Sequence, residues 1–564
     1  MLARVVAGIS AGHRDITPST TLNILGESSA SCLRAFNIIK TFFSTHINTS
    51  CPPAGQPTAT THPELLDPHE LTPGIPASEY RARRNRLGQL LPPGGAAILP
   101  AAATTYMSGV IPWPYRQDPD FFYLTGLTQH GLAVLTAPGA GSSQDVRYTL
   151  FIDAPNTNRE RWDGATVSRE AAREVFGADE VFWMHEMPRK LQDLAKTTVP
   201  ILYDTDRVGA YHHSALGIAL RPALELPGRV APLRPLLHSM RLIKSPAEAA
   251  MMRTSAAVAS AAVRHCMAVT TPGTTEYGLA AAFEYGIKSA GAQRLAYPTV
   301  VAGGPDACTI HYGRNDKVLA GGQLVLMDAG AEFWGYVSDV TRTWPVGGAF
   351  SGPQRDVYAI VLEAHQRCLA ACRPGSSIRE LHALCVDILS EGLRELRLLP
   401  GASLAEIRSS LYREFFWHSL GHYLGLDTHD THLVGHDRRL SEGMVITIEP
   451  GLYIPDLPQY GALRGIGVRI EDDVLVTAAG CRVLSDQAPV AVREVEELAG
   501  SAAAAQGTGS AGLMPQPPRS KVTPHRLFAQ ESLGLTAPAA AAAAAVAVAD
   551  PSGARRQEVV KVLG

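Results

Sequence analysis

The stretch Met444-Val-Ile-Thr-Ile-Glu449-Pro-Gly-Leu-Tyr-Ile454, followed after a polar loop by Gly467-Val-Arg469-Ile-Glu471-Asp-Asp473, decides how the rest of the chain is read. Each acid sits in a short run rich in Val and Ile, the composition of a buried β-strand. Side chains alternate along a strand, so Val445, Thr447 and Glu449 share one face, as do Arg469 and Glu471. A carboxylate on an apolar strand is costly unless it is paired or binds a cation. Two such strands call for cations.

The partners lie upstream. Leu324-Val-Leu-Met-Asp328-Ala-Gly is another apolar strand ending in an acid, and Tyr336-Val-Ser-Asp339-Val-Thr-Arg-Thr follows a Gly-containing turn that can fold the two into a hairpin. Then comes His418-Ser-Leu-Gly-His422-Tyr-Leu-Gly-Leu-Asp-Thr-His429-Asp. The candidate ligands are Asp328, Asp339, His422, Glu449 and Glu471. Their four carboxylates would balance two divalent cations. An oxygen-rich set without Cys favours manganese or a similar ion over a thiolate-type zinc site.

These words, in this order, resemble the pita-bread metallopeptidases, and among them aminopeptidase P, the Xaa-Pro aminopeptidases. The resemblance rests on Asp328-Ala-Gly-Ala-Glu, Ser338-Asp-Val-Thr-Arg-Thr-Trp-Pro, His422-Tyr-Leu-Gly-Leu-Asp-Thr-His, Ile448-Glu-Pro-Gly-Leu-Tyr and Val468-Arg-Ile-Glu-Asp-Asp, which span Pro246–Val495. A separate phrase, Tyr115-Arg-Gln-Asp-Pro-Asp-Phe-Phe-Tyr-Leu-Thr-Gly126, and Trp162-Asp-Gly resemble the family's N-terminal domain, which methionine aminopeptidases lack. His418-Ser-Leu-Gly-His and Ala296-Tyr-Pro-Thr-Val-Val look like the mitochondrial, intermediate-cleaving branch.

The resemblance implies an enzyme that removes the N-terminal residue before proline. Proline lacks the amide hydrogen that general aminopeptidases grip, so a dedicated pocket is needed. Asp339 and Glu471 would bridge two metal ions, with Asp328 on one and His422 and Glu449 on the other. A metal-bridging hydroxide would attack the carbonyl before proline, and Glu449 would carry its proton to the leaving nitrogen. His429 and His418 would hold the substrate and the oxyanion. Tyr297 and His311 would line the substrate pocket, and Arg469 would orient the carboxylates. Some members of the mitochondrial branch trim one residue after presequence removal, and that residue need not precede proline. Prolidase, restricted to dipeptides, and a catalytically silent pita-bread binding module are the alternatives.

Fold and boundaries follow. The expectation is an α/β N-terminal domain over residues 77–237, then an α+β pita-bread catalytic domain over 238–498 with pseudo-twofold duplication. Strands at Ala96-Ala-Ile-Leu-Pro, Ala133-Val-Leu and Tyr148-Thr-Leu-Phe-Ile-Asp, with a helix at Ala171–Phe176, alternate in the first. In the second, Ser245-Pro-Ala-Glu248 has the signature of a capped helix start. Helices are expected to about Val269 and over Glu276–Ala290, Val357–Ala371 and Ile378–Leu393, so that a helix pair precedes each acidic strand pair. The basic run Glu79-Tyr-Arg-Ala-Arg-Arg reads as a solvated helix face. His432 and His436 read as loop residues, since a zinc site there would need a helix. The Gly303-Gly304 turn lacks the Lys-Ser/Thr of a phosphate loop.

Residues 1–76 read as a transit peptide and Pro-rich linker, mostly disordered: acids are scarce, Ser and Thr frequent, and no secretory core is present. Mitochondria are the expected destination, with chloroplast or cytoplasm as alternatives. Residues 499–564, rich in Ala, Gly, Pro and Ser, read as a disordered tail. A net charge of −3 argues against nucleic acid as the main partner, and no apolar run is long enough to span a bilayer. The eight Cys show no C-x-x-C pair, which suits free thiols in a reducing compartment. The expected partners are peptide or protein N-termini, with self-association as homodimer or homotetramer.

Overall fold

Six strands form the N-terminal sheet in the spatial order Val230–Ala231, Ile201–Leu202, Ala96–Pro100, Gly131–Thr136, Arg147–Ile152, Glu180–Trp183. The three central strands carry the apolar runs read from sequence and pair antiparallel, while the outer strands add on in parallel. The computed structural model describes residues 52–142, 145–204 and 215–501. The transit-peptide reading of 1–51 and the tail reading from 502 onward lie outside the described residues.

Two expectations for this region are corrected. The stretch 52–76 is not a loose linker: Leu66, Leu71 and Ile75 are buried, Glu70–Thr72 pairs with Ile75–Pro76, and Gln56 donates to the Gly126 carbonyl at 2.9 Å. Its scattered apolar residues are too few to show a period, yet these three are buried. Nor is the basic helix Ala77–Leu90 a solvated face. Arg83 and Arg84 are buried, Arg83 against Glu248 at 3.2 Å and over the Tyr123 ring, Arg84 over Tyr148. An arginine with a carboxylate and an aromatic face to meet can enter a core.

In the catalytic half the helix pair Pro246–Val269 and Glu276–Ser289 precedes the sheet Val300–Gly303, Leu324–Ala329, Val340–Pro345. The pair Gly352–Ala371 and Ile378–Glu395 precedes the sheet Val445–Ile448, Asp472–Thr477, Gly480–Val483. Helix starts follow their caps. Ser245 and Ser351 both form capping boxes, with Glu248 and Gln354 as return partners, which starts the third helix at Gly352 rather than near Val357. The helix-pair-then-sheet unit therefore occurs twice, as the pita-bread architecture requires. Its core is continuous with that of the N-terminal sheet, running from Tyr80 and Phe121 to Val258, Trp344 and Val474.

The two catalytic sheets are stitched together where the acids sit. Glu471 N donates to Thr341 O at 3.1 Å, Thr343 Oγ1 donates to Arg469 O at 3.0 Å, and Asp339 N donates to the Asp473 carboxylate at 3.1 Å. A glycine makes a further close approach feasible. A Cβ on Gly421 would lie 2.0 Å from the Thr447 carbonyl, so only glycine lets the chain preceding His422 press onto the second sheet.

Candidate metal centre

Each candidate ligand sits at a strand end or beside one. Asp328 lies in the strand Leu324–Ala329, opposite Thr341. The hairpin turns at Trp334 and Gly335, both with positive φ, and returns to Asp339 just before Val340. His422 is docked by Thr447: His422 N donates to Thr447 Oγ1 at 3.1 Å and Thr447 N to His422 O at 2.9 Å. Glu449 follows the strand Val445–Ile448, and Glu471 occupies the break between Gly467–Arg469 and Asp472–Thr477. Alternation thus holds for the strands, but both glutamates act from just beyond them.

These ends meet. Ligand atoms of Asp339, His422 and Glu471 lie within 4.8 Å of one another. His422 Nε2 is 3.5 Å from Asp339 Oδ2 and 3.6 Å from Glu449 Oε1. Its Nδ1 faces the Tyr423 carbonyl at 3.1 Å, so Nδ1 carries a proton and Nε2 is the nitrogen turned to the carboxylates, where a metal ion would take the place of its second proton. Among the described residues no other group of His, Cys, Asp or Glu converges in this way, so His432 and His436 form no second centre. The His432 ring packs on His238 instead.

The electrostatics show what the site lacks. Burial, then the charges of Asp339, Glu449 and Asp328, hold Glu471 well above the usual carboxylate range. Burial pushes Glu449 up to about 7, and Asp328 also rises with burial as the first cause. For His422 burial opposes charge, but Asp339 and Glu449 win and raise it to about 9. Asp339 is the exception: burial opposes its charge, but the His422 imidazole holds it below the usual carboxylate range. Three of the four carboxylates are thus pushed toward their protonated forms in one pocket. Two divalent cations would replace those protons, and the donor set of carboxylates and one imidazole fits hard or borderline ions.

The remaining predicted residues surround this cluster. Arg469 contacts Asp328 directly and donates Nε to Thr341 Oγ1 at 3.0 Å, while Thr341 Oγ1 donates to Glu471 Oε2 at 2.6 Å. His418 stands 3.6 Å from Glu449 and is held by Ser419 O and Tyr453 OH at 2.8 and 2.9 Å. The His429 ring packs edge-on against His422, with centroids 4.4 Å apart. His311 is exposed and within electrostatic reach of His429. Tyr297, expected to line the substrate pocket, has its hydroxyl on the ligands: it reaches Asp328 Oδ1 at 2.6 Å and also contacts Asp339. It braces the ligands themselves.

Three residues escaped sequence reasoning. Thr341 links Arg469 to Glu471, Tyr453 links Arg469 to His418 with Nη1–OH at 3.1 Å, and Asp473 holds the backbone of Asp339. Thr341 lies two residues from Asp339, a spacing that could have pointed to it. Asp473 lies at the same distance from Glu471 and could have been read the same way, whereas Tyr453 acts across the fold and leaves no local signal.

Comparison with known proteins matches this geometry. A model of metallopeptidase family M24 matches residues 250–478, and one of the aminopeptidase P N-terminal domain matches 80–203. The chain is 39% identical to mitochondrial intermediate cleaving peptidase 55 of Arabidopsis thaliana over 448 residues, covering 79% of this chain and 87% of that protein. The chain belongs to the aminopeptidase P family of metallopeptidases. It is 36% identical to human Xaa-Pro aminopeptidase 3, covering 79% of this chain and 91% of that protein. Escherichia coli aminopeptidase P, solved as a Glu-to-Ala variant in complex with substrate, superposes with a TM-score of 0.71 at 34% identity, covering 77% of this chain and 99% of that one. This member is therefore a metal-dependent aminopeptidase, and the silent binding module is set aside. No helix among the described residues is long and apolar enough to cross a membrane.

Proposed function

We propose that this aminopeptidase releases single N-terminal residues from peptides and proteins, preferentially before proline, with manganese as its metal. We propose further that it works in mitochondria, trimming imported proteins after presequence removal. The convergence of Asp339, His422 and Glu471, with Glu449 and Asp328 beside them, carries the reading. Asp339 and Glu471 would be shared between two ions, Asp328 would hold one, and His422 and Glu449 the other. Bound there, the ions supply an acidified water and polarise the scissile carbonyl.

The protein's own groups do the rest. Glu449, pushed up to about 7, can take and return a proton near neutral pH. His418 is pulled down to about 3, by burial first and Arg469 second, so it stays neutral. Its ring stands 4.6 Å from Phe416 and 5.6 Å from Tyr453, and Tyr453 in turn meets Trp417. Phe416 and Tyr453 are fully buried, so these contacts fix the His418 ring beside Glu449, while the half-exposed Trp417 is the aromatic face open to an N–H-free proline ring. His429 and His418 would hold the substrate and its oxyanion, His311 would line the pocket, and Arg469 keeps Asp328 oriented. The exposed apolar hairpin Tyr106–Pro112, with Trp113 after it, supports a homodimer or homotetramer.

Product analysis on a peptide panel tests the substrate. Longer X-Pro peptides should lose one residue, X-Pro dipeptides should not be the preferred substrate, and peptides starting Tyr, Phe or Leu without proline report any precursor-trimming activity. Cleavage confined to dipeptides would make the protein a prolidase. For location, a reporter carrying residues 1–60 should reach mitochondria, and a uniformly cytosolic signal would refute the import signal.

A further inference from the structure

The loop Leu426–Asp430 carries His429, and it is held by cations that reach in from upstream of the catalytic sheets. Arg116, in the Tyr115–Gly126 phrase, donates Nη2 to the Leu426 carbonyl at 2.6 Å, Nη1 to Asp427 Oδ1 at 3.1 Å and Nε to Glu332 at 2.6 Å. Arg241, at the end of the helix Arg234–Arg241, donates Nη1 to Asp120 at 2.6 Å and Nη2 to Asp427 Oδ2 at 3.0 Å, and it contacts Asp430. Lys244 reaches Asp430 at 3.3 Å.

Asp427 thus lies between two guanidinium groups, and the buried Asp430 between Arg241 and Lys244. Asp430 N donates back to the Tyr423 carbonyl at 2.9 Å, which closes the loop onto the residue after His422. There is no slack at its base: a Cβ on Gly425 would sit 2.3 Å from the Asp430 carboxylate. The two carboxylates flank His429 by two residues and by one. Fixing both fixes the ring that lies over His422.

We infer that Arg116 and Arg241 are positioning residues of the peptidase reaction: they clamp Asp427 and Asp430 so that His429 faces the substrate, which makes the N-terminal half a working part of the active site. The inference rests on the assignment of His429 to the substrate. Such a clamp is expressed in turnover, because a small misplacement of a group acting on the transition state is costly while the metals stay bound.

Arg116 is the residue to change, since its side chain is 37% exposed and Arg294 still neutralises Glu332 when it is gone. Removing Arg241 would strand buried Asp120 and Asp430 and endanger folding. Arg116→Ala, His429→Ala and the double variant are assayed as manganese-loaded full-length protein on an X-Pro peptide, with metal content and thermal unfolding recorded. Arg116→Ala should lower kcat about ten- to a hundredfold with little change in KM or metal content. The double variant should be no slower than His429→Ala alone, because the clamp acts through that ring. Asp427→Asn, which keeps the shape but weakens both arginine contacts, should show the same non-additivity even if Arg116→Ala folds poorly. If His429→Ala is impaired but Arg116→Ala and Asp427→Asn turn over normally, lose metal, or multiply with His429→Ala, the clamp is wrong. If His429→Ala itself turns over normally, it is the assignment of His429 that fails.

Discussion

Removing one oxygen, Tyr453→Phe, probes how the two-stranded ribbon of Gly451–Tyr453 and Gly467–Arg469 organises the site. His418 Nδ1 faces the Ser419 carbonyl at 2.8 Å, so it carries the ring proton and Nε2 must accept. Among the described residues its partner is the Tyr453 hydroxyl at 2.9 Å, which must therefore donate to His418 and accept from Arg469 Nη1 at 3.1 Å. Phenylalanine keeps the ring packing and removes both bonds. Arg469 retains Asp328 and Thr341, so the ligands stay in place. A lost hydrogen bond to a charged group costs about 1.5–3 kcal/mol, which is about ten- to a hundredfold in rate if expressed in the transition state. The expected result is that fall in kcat/KM on an X-Pro peptide, with metal content unchanged by elemental analysis. Wild-type turnover, or loss of metal in parallel with activity, would refute the chain of contacts from Arg469 to His418.

Three further outcomes follow from the same structure. His422→Ala deletes a ligand, so metal content and activity should fall together when the purified variant is compared with wild type. Arg342→Met should cost about 3–5 kcal/mol in denaturant unfolding: the buried Arg342 donates to Asp472 at 2.6 Å and to Ala488 O at 2.8 Å, and its loss leaves a buried carboxylate. His238 is pulled down from 6.5 to about 3, by burial first and Arg241 next. Between those values the unfolded chain binds a proton that the folded protein does not, so stability falls as pH drops through that window. His238→Gln should show a shallower loss of melting temperature from pH 6.5 to 4.5, and parallel curves would count against the burial argument.

Much of the metal centre was legible because buried acids in apolar strands contradict their surroundings. Asp328, Glu449 and Glu471 are visible as local anomalies that only a cation resolves. The strand and helix order also showed, since Ser245 and the Val- and Ile-rich runs act within a few residues. What stayed hidden acts over long separations. Arg342 meets Asp472 130 residues away, Arg116 meets Asp427 311 residues away, and Tyr453 serves two residues that neither neighbour nor resemble it. Arg83 and Arg84 misled for the opposite reason: charge reads as solvent exposure, and nothing nearby announces Glu248, Tyr123 or Tyr148. Tyr297 was reachable as a site residue, but which partner its hydroxyl chooses depends on the fold.

The most direct test of the central claim is a metal titration of the apo-protein, with X-Pro peptide hydrolysis read at each manganese-to-protein ratio. Five ligands holding two ions predict no hydrolysis without metal and a rise that saturates at two equivalents per chain. Full activity in verified metal-free protein, or saturation at a single equivalent, would contradict the two-ion site.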